Sequence, residues 1–93
     1  MAHLVSEAEA QLKLSQLPNW VLENSTLKTT RSFEDFIEAI NFINRLVEPS
    51  EAAGHHPDIC ISYNQVTLSL TTHDAGGLTD KDFEMAATLS KIS

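Results

Sequence analysis

Phe33, Phe36, Ile37, Ile40, Ile43 and Val47 recur at three- and four-residue intervals, and the run then meets a proline at position 49. That spacing lines one face of a helix. The chain is therefore predicted to build around a central amphipathic helix that needs an apolar surface to cover it. Pro49 cannot occupy an unperturbed helix interior, but it fits the first turn of a renewed segment. A kink is predicted near Glu48, followed by a turn ending at Gly54. Directly after it stand His55, His56 and Pro57, so that two of the four histidines lie side by side. Pro57 biases His56 away from the helical region.

The flanking segments supply what the helix packs against. Ser6 to Glu9 has the form of a capping box and predicts a short helix to about Gln16. Trp20 to Glu23 has strand propensity, Asn24-Ser25 is a turn pair, and Thr26 to Arg31 is the return strand, with Leu27 and Thr29 on one face. Ser32 to Asp35 is a second capping pattern. In Asp58 to Tyr63, Ile59, Ile61 and Tyr63 alternate with Cys60 and Ser62, so Tyr63 reads as core. Asn64-Gln65 is the predicted turn. Val66, Leu68 and Leu70 share one face of the next strand, and Thr67, Ser69, Thr71 and His73 the other. Ala75-Gly76-Gly77 is a permissive loop, and Thr79 to Asp82 is a third capping pattern that opens the last helix. Phe83, Met85, Ala86, Ala87, Leu89 and Ile92 give that helix more apolar surface than one sheet requires, and the excess is read as a subunit interface. The predicted fold is α+β: a four-stranded antiparallel sheet with three helices, the long ones packed on one face, in a single domain over residues 1–93.

Charge narrows the function. Six basic against thirteen acidic side chains give a formal net charge of -7, which repels phosphate backbones and leaves no basic stripe for DNA or RNA. No apolar run nears transmembrane length and no secretory pattern opens the chain, so a cytoplasmic protein is expected. Cys60 is the single cysteine, which leaves no internal disulfide and no Cys-based zinc framework; it is read as a packed small hydrophobe.

Imidazoles exchange protons near neutrality, and two or three together can divide acid and base roles. A C–O elimination fits them: one group protonates the departing hydroxyl while another removes the proton whose electron pair enters the new double bond. Three histidines with a carboxylate are also a zinc ligand set. Adjacent extended residues point to opposite sides, however, and no His-Glu-x-x-His helix exists, so a shared metal on His55 and His56 is disfavoured. A nucleophilic hydrolase lacks its Gly-x-Ser-x-Gly elbow. Each candidate also has a plain reading. Glu51 can be a solvated helix charge, Asp82 a capping residue, His73 the end of a polar strand face, and His3 a terminal residue.

Glu51, three residues, His55-His56-Pro57, five residues, Tyr63, nine residues, His73, eight residues and Asp82 together form a spaced pattern. With Thr71-Thr72-His73-Asp74, Gly77-Leu78-Thr79, the central helix and, more loosely, Trp20, it resembles the pterin-4a-carbinolamine dehydratases over nearly the whole chain. The resemblance implies dehydration of a 4a-hydroxytetrahydropterin to the quinonoid dihydropterin, downstream of an aromatic amino-acid hydroxylase, with no metal and no cofactor. It implies His55 and His73 as general acids for opposite stereoisomers and His56 as a pterin-binding residue that assists the proton leaving N5. It further implies Gly54, Thr71, Thr72 and Asp74 beside the histidines in the substrate pocket, Glu51 and Asp82 as carboxylates that hold the imidazoles, and a dimer or tetramer. Two positions depart from the family: Gly54 stands where some relatives carry an acidic residue, and Pro49 interrupts a helix that is often continuous. Some animal members also bind a homeodomain-type transcription factor as a dimerisation cofactor, which implies an alternative class, a non-catalytic helix-docking or coactivator module. Relatives in photosynthetic organisms that look like assembly factors lack the full histidine set, which this chain retains.

Overall fold

The computed structural model describes residues 3–92. Ser6 and Glu9 exchange the two hydrogen bonds of a capping box, each 3.2 Å, and start α1 (Glu7–Leu14). The Ser6 backbone amide, foremost among its partners, holds the Glu9 carboxyl below its ordinary pKa. This cap is therefore complete above the ordinary carboxylate range and is lost as pH falls through the lowered value.

Two hairpins follow the predicted alternation. β1 (Val21–Glu23) and β2 (Thr26–Ser32) are joined by Asn24-Ser25, whose φ values of 48° and 62° are the left-handed pair that a tight two-residue hairpin needs. β3 (Asp58–Ser62) and β4 (Gln65–Leu70) pair Ser62 with Gln65, so their loop is Tyr63-Asn64, one residue earlier than predicted. Tyr63, at φ 52°, is thereby moved from strand to turn and is 66% exposed, which corrects its reading as core. Between the hairpins, β2 and β4 align antiparallel, with Leu27 opposite Leu70 and Thr29 opposite Leu68. The sheet order is β1-β2-β4-β3, so the second hairpin returns beside the first.

Helices cover only one face of this sheet. Leu27, Val66, Leu68 and Leu70 are buried against Ala39, Phe42 and Leu46 of the central helical segment and Phe83, Met85, Ala86 and Leu89 of α4 (Asp80–Ser90). The other face is polar, with Thr30 and Thr67 hydroxyls 3.0 Å apart across the strands. Cys60 sits opposite Thr67 on the edge strand β3 and is exposed, not packed. Ile59, on the same strand, shares the core side of its pair with Leu68 yet remains 44% exposed at the sheet edge.

The last helix also departs from expectation. Its Phe83, Met85, Ala86 and Leu89 are buried within the protomer, and Ala87 and Ile92 pack against the same core. The excess apolar surface is used because α4 has more than the sheet to cover. Helix α3 (Val47–Ala53) contacts it, Trp20 donates its indole N–H to Ser90 Oγ at 2.8 Å, and Arg31 reaches the Ile92 carbonyl at 2.6 Å. The same guanidinium lies 4.6 Å from the Phe42 ring centroid. Uncovered apolar side chains occur instead on the central segment, at Phe36, Ile37 and Val47.

Phe42 and Ile37 therefore respond oppositely to truncation. Phe42→Ala, at a site with no exposure, is expected to lower the unfolding free energy by about 3–5 kcal/mol in urea titration. Ile37→Ala, 68% exposed, is expected to change it by less than about 0.5 kcal/mol in dilute protein. A large loss at Ile37 would show that this face is covered in solution.

Candidate active site

The histidine pair is placed by a break and a cap. Asp35 accepts from the Glu38 amide at 2.9 Å and starts α2 (Phe36–Arg45). Ser32 belongs to β2, so Asp35 and Glu38 replace the cap predicted from Ser32. Helix α2 stops at Leu46, and α3 begins at Val47 with Pro49 as its third residue. A first-turn amide has no intrahelical partner, so the missing proline N–H costs nothing there. The break thus falls slightly before the predicted Glu48. Seven residues later Gly54 closes α3 at φ 62°, ψ 29°, with its amide on the Glu51 carbonyl and the His55 amide on that of Ser50, each 3.2 Å. This left-handed cap, which glycine adopts without a Cβ penalty, turns the chain out of the helix and into the extended His55-His56-Pro57.

In that extended run the two imidazoles diverge. His55 Nε2 lies 2.6 Å from Asp82 Oδ1, and His56 Nε2 lies 2.5 Å from Glu51 Oε2. Glu51 therefore folds back as expected and takes the second histidine. The two pairs differ in environment. The His55 side chain is 13% exposed and that of Asp82 is fully buried, whereas the His56 and Glu51 side chains are 58% and 69% exposed. An exposed pair is screened by water and contributes little to stability. A buried carboxylate needs hydrogen-bond donors on its oxygens.

Asp82 meets that requirement from three segments. Besides His55, its Oδ2 accepts from Thr72 Oγ1 at 2.7 Å and from the Thr79 amide at 2.9 Å. The second of these is the capping contact of α4, so the capping and site readings of Asp82 are both satisfied. Thr72 is buried, and its hydroxyl also meets that of Thr79 at 2.8 Å. Sequence reasoning saw Thr79 only as a cap, although the Thr-x-x-Asp spacing that marked the cap also brings it to the carboxylate.

The remaining candidates line the chain on either side. β4 ends at Leu70, so His73 is not the end of a strand face. It opens a 3-10 turn, His73–Ala75, in which His73 and Asp74 are exposed. Thr71 donates to the Ser25 carbonyl at 3.0 Å and ties this segment to the β1–β2 turn. His73 follows Thr72, so one carboxylate links the His73 segment to His55. Among the described residues no three His, Cys, Asp or Glu side chains converge as a metal-ion ligand group. Beside the His56–Glu51 pair opens a cavity of about 260 Å³, walled by Ile43, Leu46, Val47, Pro57 and Ile59. A second, of about 340 Å³, lies between the N-terminal segment, Ser25 and Gly76-Gly77.

Removal of either carboxylate distinguishes the two pairs. Asp82→Ala strands the buried Thr72 hydroxyl, the Thr79 amide and the His55 ring, and is expected to cost about 3–5 kcal/mol in urea unfolding. Glu51→Ala is expected to cost less than about 1 kcal/mol.

Comparison with known proteins bears on the whole chain. The family model for pterin 4 alpha carbinolamine dehydratase matches residues 3–92. A protein of Trichormus variabilis whose name carries that dehydratase designation is 64% identical over the full length of both chains. One from Chloroflexus aurantiacus, similarly named, is 52% identical over 95% of each. A crystal structure described as a transcriptional coactivator/pterin dehydratase from Brucella melitensis superposes with a TM-score of 0.87 at 29% identity, covering 95% of this chain and 96% of the other. A pterin dehydratase-like protein identified as a RuBisCO assembly factor in the alpha-carboxysome shares the fold at a TM-score of 0.60 and 22% identity, over 80% and 89% of the two chains. With its sheet, its helices and nearly its whole length matched, the chain belongs to the pterin 4 alpha carbinolamine dehydratase family.

Proposed function

We propose that this protein catalyses the dehydration of a 4a-hydroxytetrahydropterin to quinonoid dihydropterin and water. The observation that carries the reading is the His55–Asp82 pair: an imidazole at the edge of the core, oriented by a fully buried carboxylate, one residue before a second imidazole oriented by Glu51. Family membership supplies the substrate class.

The reaction breaks the C4a–O bond and forms a C4a=N5 double bond. An acid gives a proton to the leaving hydroxyl, and the N5 proton departs to a base, its electron pair entering the ring. With each Nε2 engaged by a carboxylate, His55 and His56 both have Nδ1 available for this exchange. His55 takes the acid role, with His73 as its counterpart for the opposite C4a stereoisomer, and His56 receives the N5 proton and holds the pterin. Gly54, Thr71 and Asp74 contribute to the binding wall, with strand-end backbone groups for the pterin's donor and acceptor edge. No step requires a cofactor or metal. The source of substrate is an aromatic amino-acid hydroxylase, and the expected compartment is the cytoplasm; no helix among the described residues is long and apolar enough to cross a membrane.

A second reading, a helix-docking or coactivator module, is favoured by one observation. Phe36, Ile37 and Val47 present an apolar surface on the central helical segment that nothing in the protomer covers. The Brucella melitensis structure is described as a coactivator as well as a dehydratase. A dimer or tetramer of this chain closed over the same surface is compatible with catalysis.

Stopped-flow measurement of 4a-hydroxytetrahydropterin breakdown tests the dehydratase reading. The protein is expected to accelerate it, with His55→Ala and His73→Ala each losing about 10²-fold or more on one stereoisomer and His56→Ala losing both affinity and single-turnover rate. No acceleration by the unaltered protein would overturn the reading. Unchanged binding and rate in His56→Ala would overturn the role given to His56.

A further inference from the structure

The hydroxyl of Thr72 has one proton, and it is committed. Thr72 Oγ1 stands 2.7 Å from Asp82 Oδ2, an oxygen that also accepts from the Thr79 amide. The 2.8 Å contact between the Thr72 and Thr79 hydroxyls must then be made by the proton of Thr79, with Thr72 as acceptor. The bonds run in one direction: Thr79 O–H to Thr72, Thr72 O–H to Asp82 Oδ2. All three side chains are buried, and among the described residues no buried side-chain polar atom is left without a partner. Oδ1 lies 2.6 Å from His55 Nε2, and an ionised carboxylate can only accept, so that nitrogen carries the proton of the bond.

We propose that the Thr72 side chain is a positioning group of the histidine site. Acting through Asp82, with the Thr79 hydroxyl setting the direction of its own, it holds the Nε2–H of His55 on the carboxylate, so that Nδ1 is the atom that takes up a proton and, from the imidazolium, gives it to the leaving hydroxyl. The carboxylate alone could rotate about its terminal torsion, which is soft. Two donors from different segments, the end of β4 and the start of α4, fix its plane and so the plane of the ring it holds. The consequence for rate rests on the dehydratase reading; the tautomer does not.

The test uses the full chain and three variants. Ring ¹⁵N shifts of His55 report its tautomer, and stopped-flow kinetics report kcat and KM. Expected are Nε2–H in the unaltered protein and in Thr72→Ser, and a mixed or reversed tautomer in Thr72→Val. In the valine variant kcat is expected to fall about 10-fold with KM changed by less than about 2-fold, and serine to restore it. Thr79→Val, which keeps the backbone amide, is expected to move the shifts in the same direction by a smaller amount. A folded Thr72→Val with unaltered ¹⁵N shifts and kcat overturns the proposal. If the valine variants do not fold, an Nδ1–H tautomer in the unaltered protein overturns it equally. A protein with the expected tautomers and no dehydration activity would overturn the dehydratase reading and leave the positioning role standing.

Discussion

A carboxylate removed from water needs hydrogen-bond donors in place of the water it gave up, and at Asp82 the donors come from three places in the chain. The α4 amide of Thr79, the Thr72 hydroxyl at the end of the sheet and the imidazole after α3 converge on two oxygens. Each segment is placed by its own local structure, but none is held at the carboxylate by apolar packing alone. The site exists where a helix start, a strand end and a helix exit meet. An unpaired partner there would carry the full desolvation cost, so the cluster behaves as one unit.

The one-sided packing of the sheet is the second constraint. A four-stranded sheet with helices on a single face leaves its two edge strands and its polar face to solvent. Exposure of Ile59 and Cys60 on β3 follows from this, and so does the full use of α4, which must close the core between the sheet, α3 and the N-terminal segment. Part of the apolar surface left over belongs to the central helical segment. Apolar residues there sit on the turn nearest its start and just beyond its break, at Phe36, Ile37 and Val47.

Much of this was legible from local pattern. Ser6–Glu9 and Thr79–Asp82 announced their helix starts because capping is written in four residues, and the hydrophobic alternation of Val66, Leu68 and Leu70 placed the central strand. Reading failed where a tertiary choice decided between local equals. Tyr63 continues the apolar alternation of β3, and only the register of Ser62 with Gln65 makes it a turn residue. Ser32 and Asp35 both offer a cap, and the demand of β2 for Ser32 settles which is used. At the site, residue type and spacing supplied the histidines, their carboxylates and the divergence of His55 and His56, while the resemblance supplied their roles and the further pocket residues. Thr72 was placed with the pocket by the resemblance alone. Its burial is a matter of strand end geometry, which no spacing rule reveals.

The left-handed cap at Gly54 has a further meaning. A Cβ added there would meet no heavy atom within 4 Å apart from its chain neighbours, so the position is restricted first by backbone conformation. Asparagine and aspartate tolerate that conformation better than other side chains. The residue preceding the histidine pair is therefore a place where a carboxylate has room at its Cβ, and where descent can retune the local field of the site at the cost of backbone strain alone.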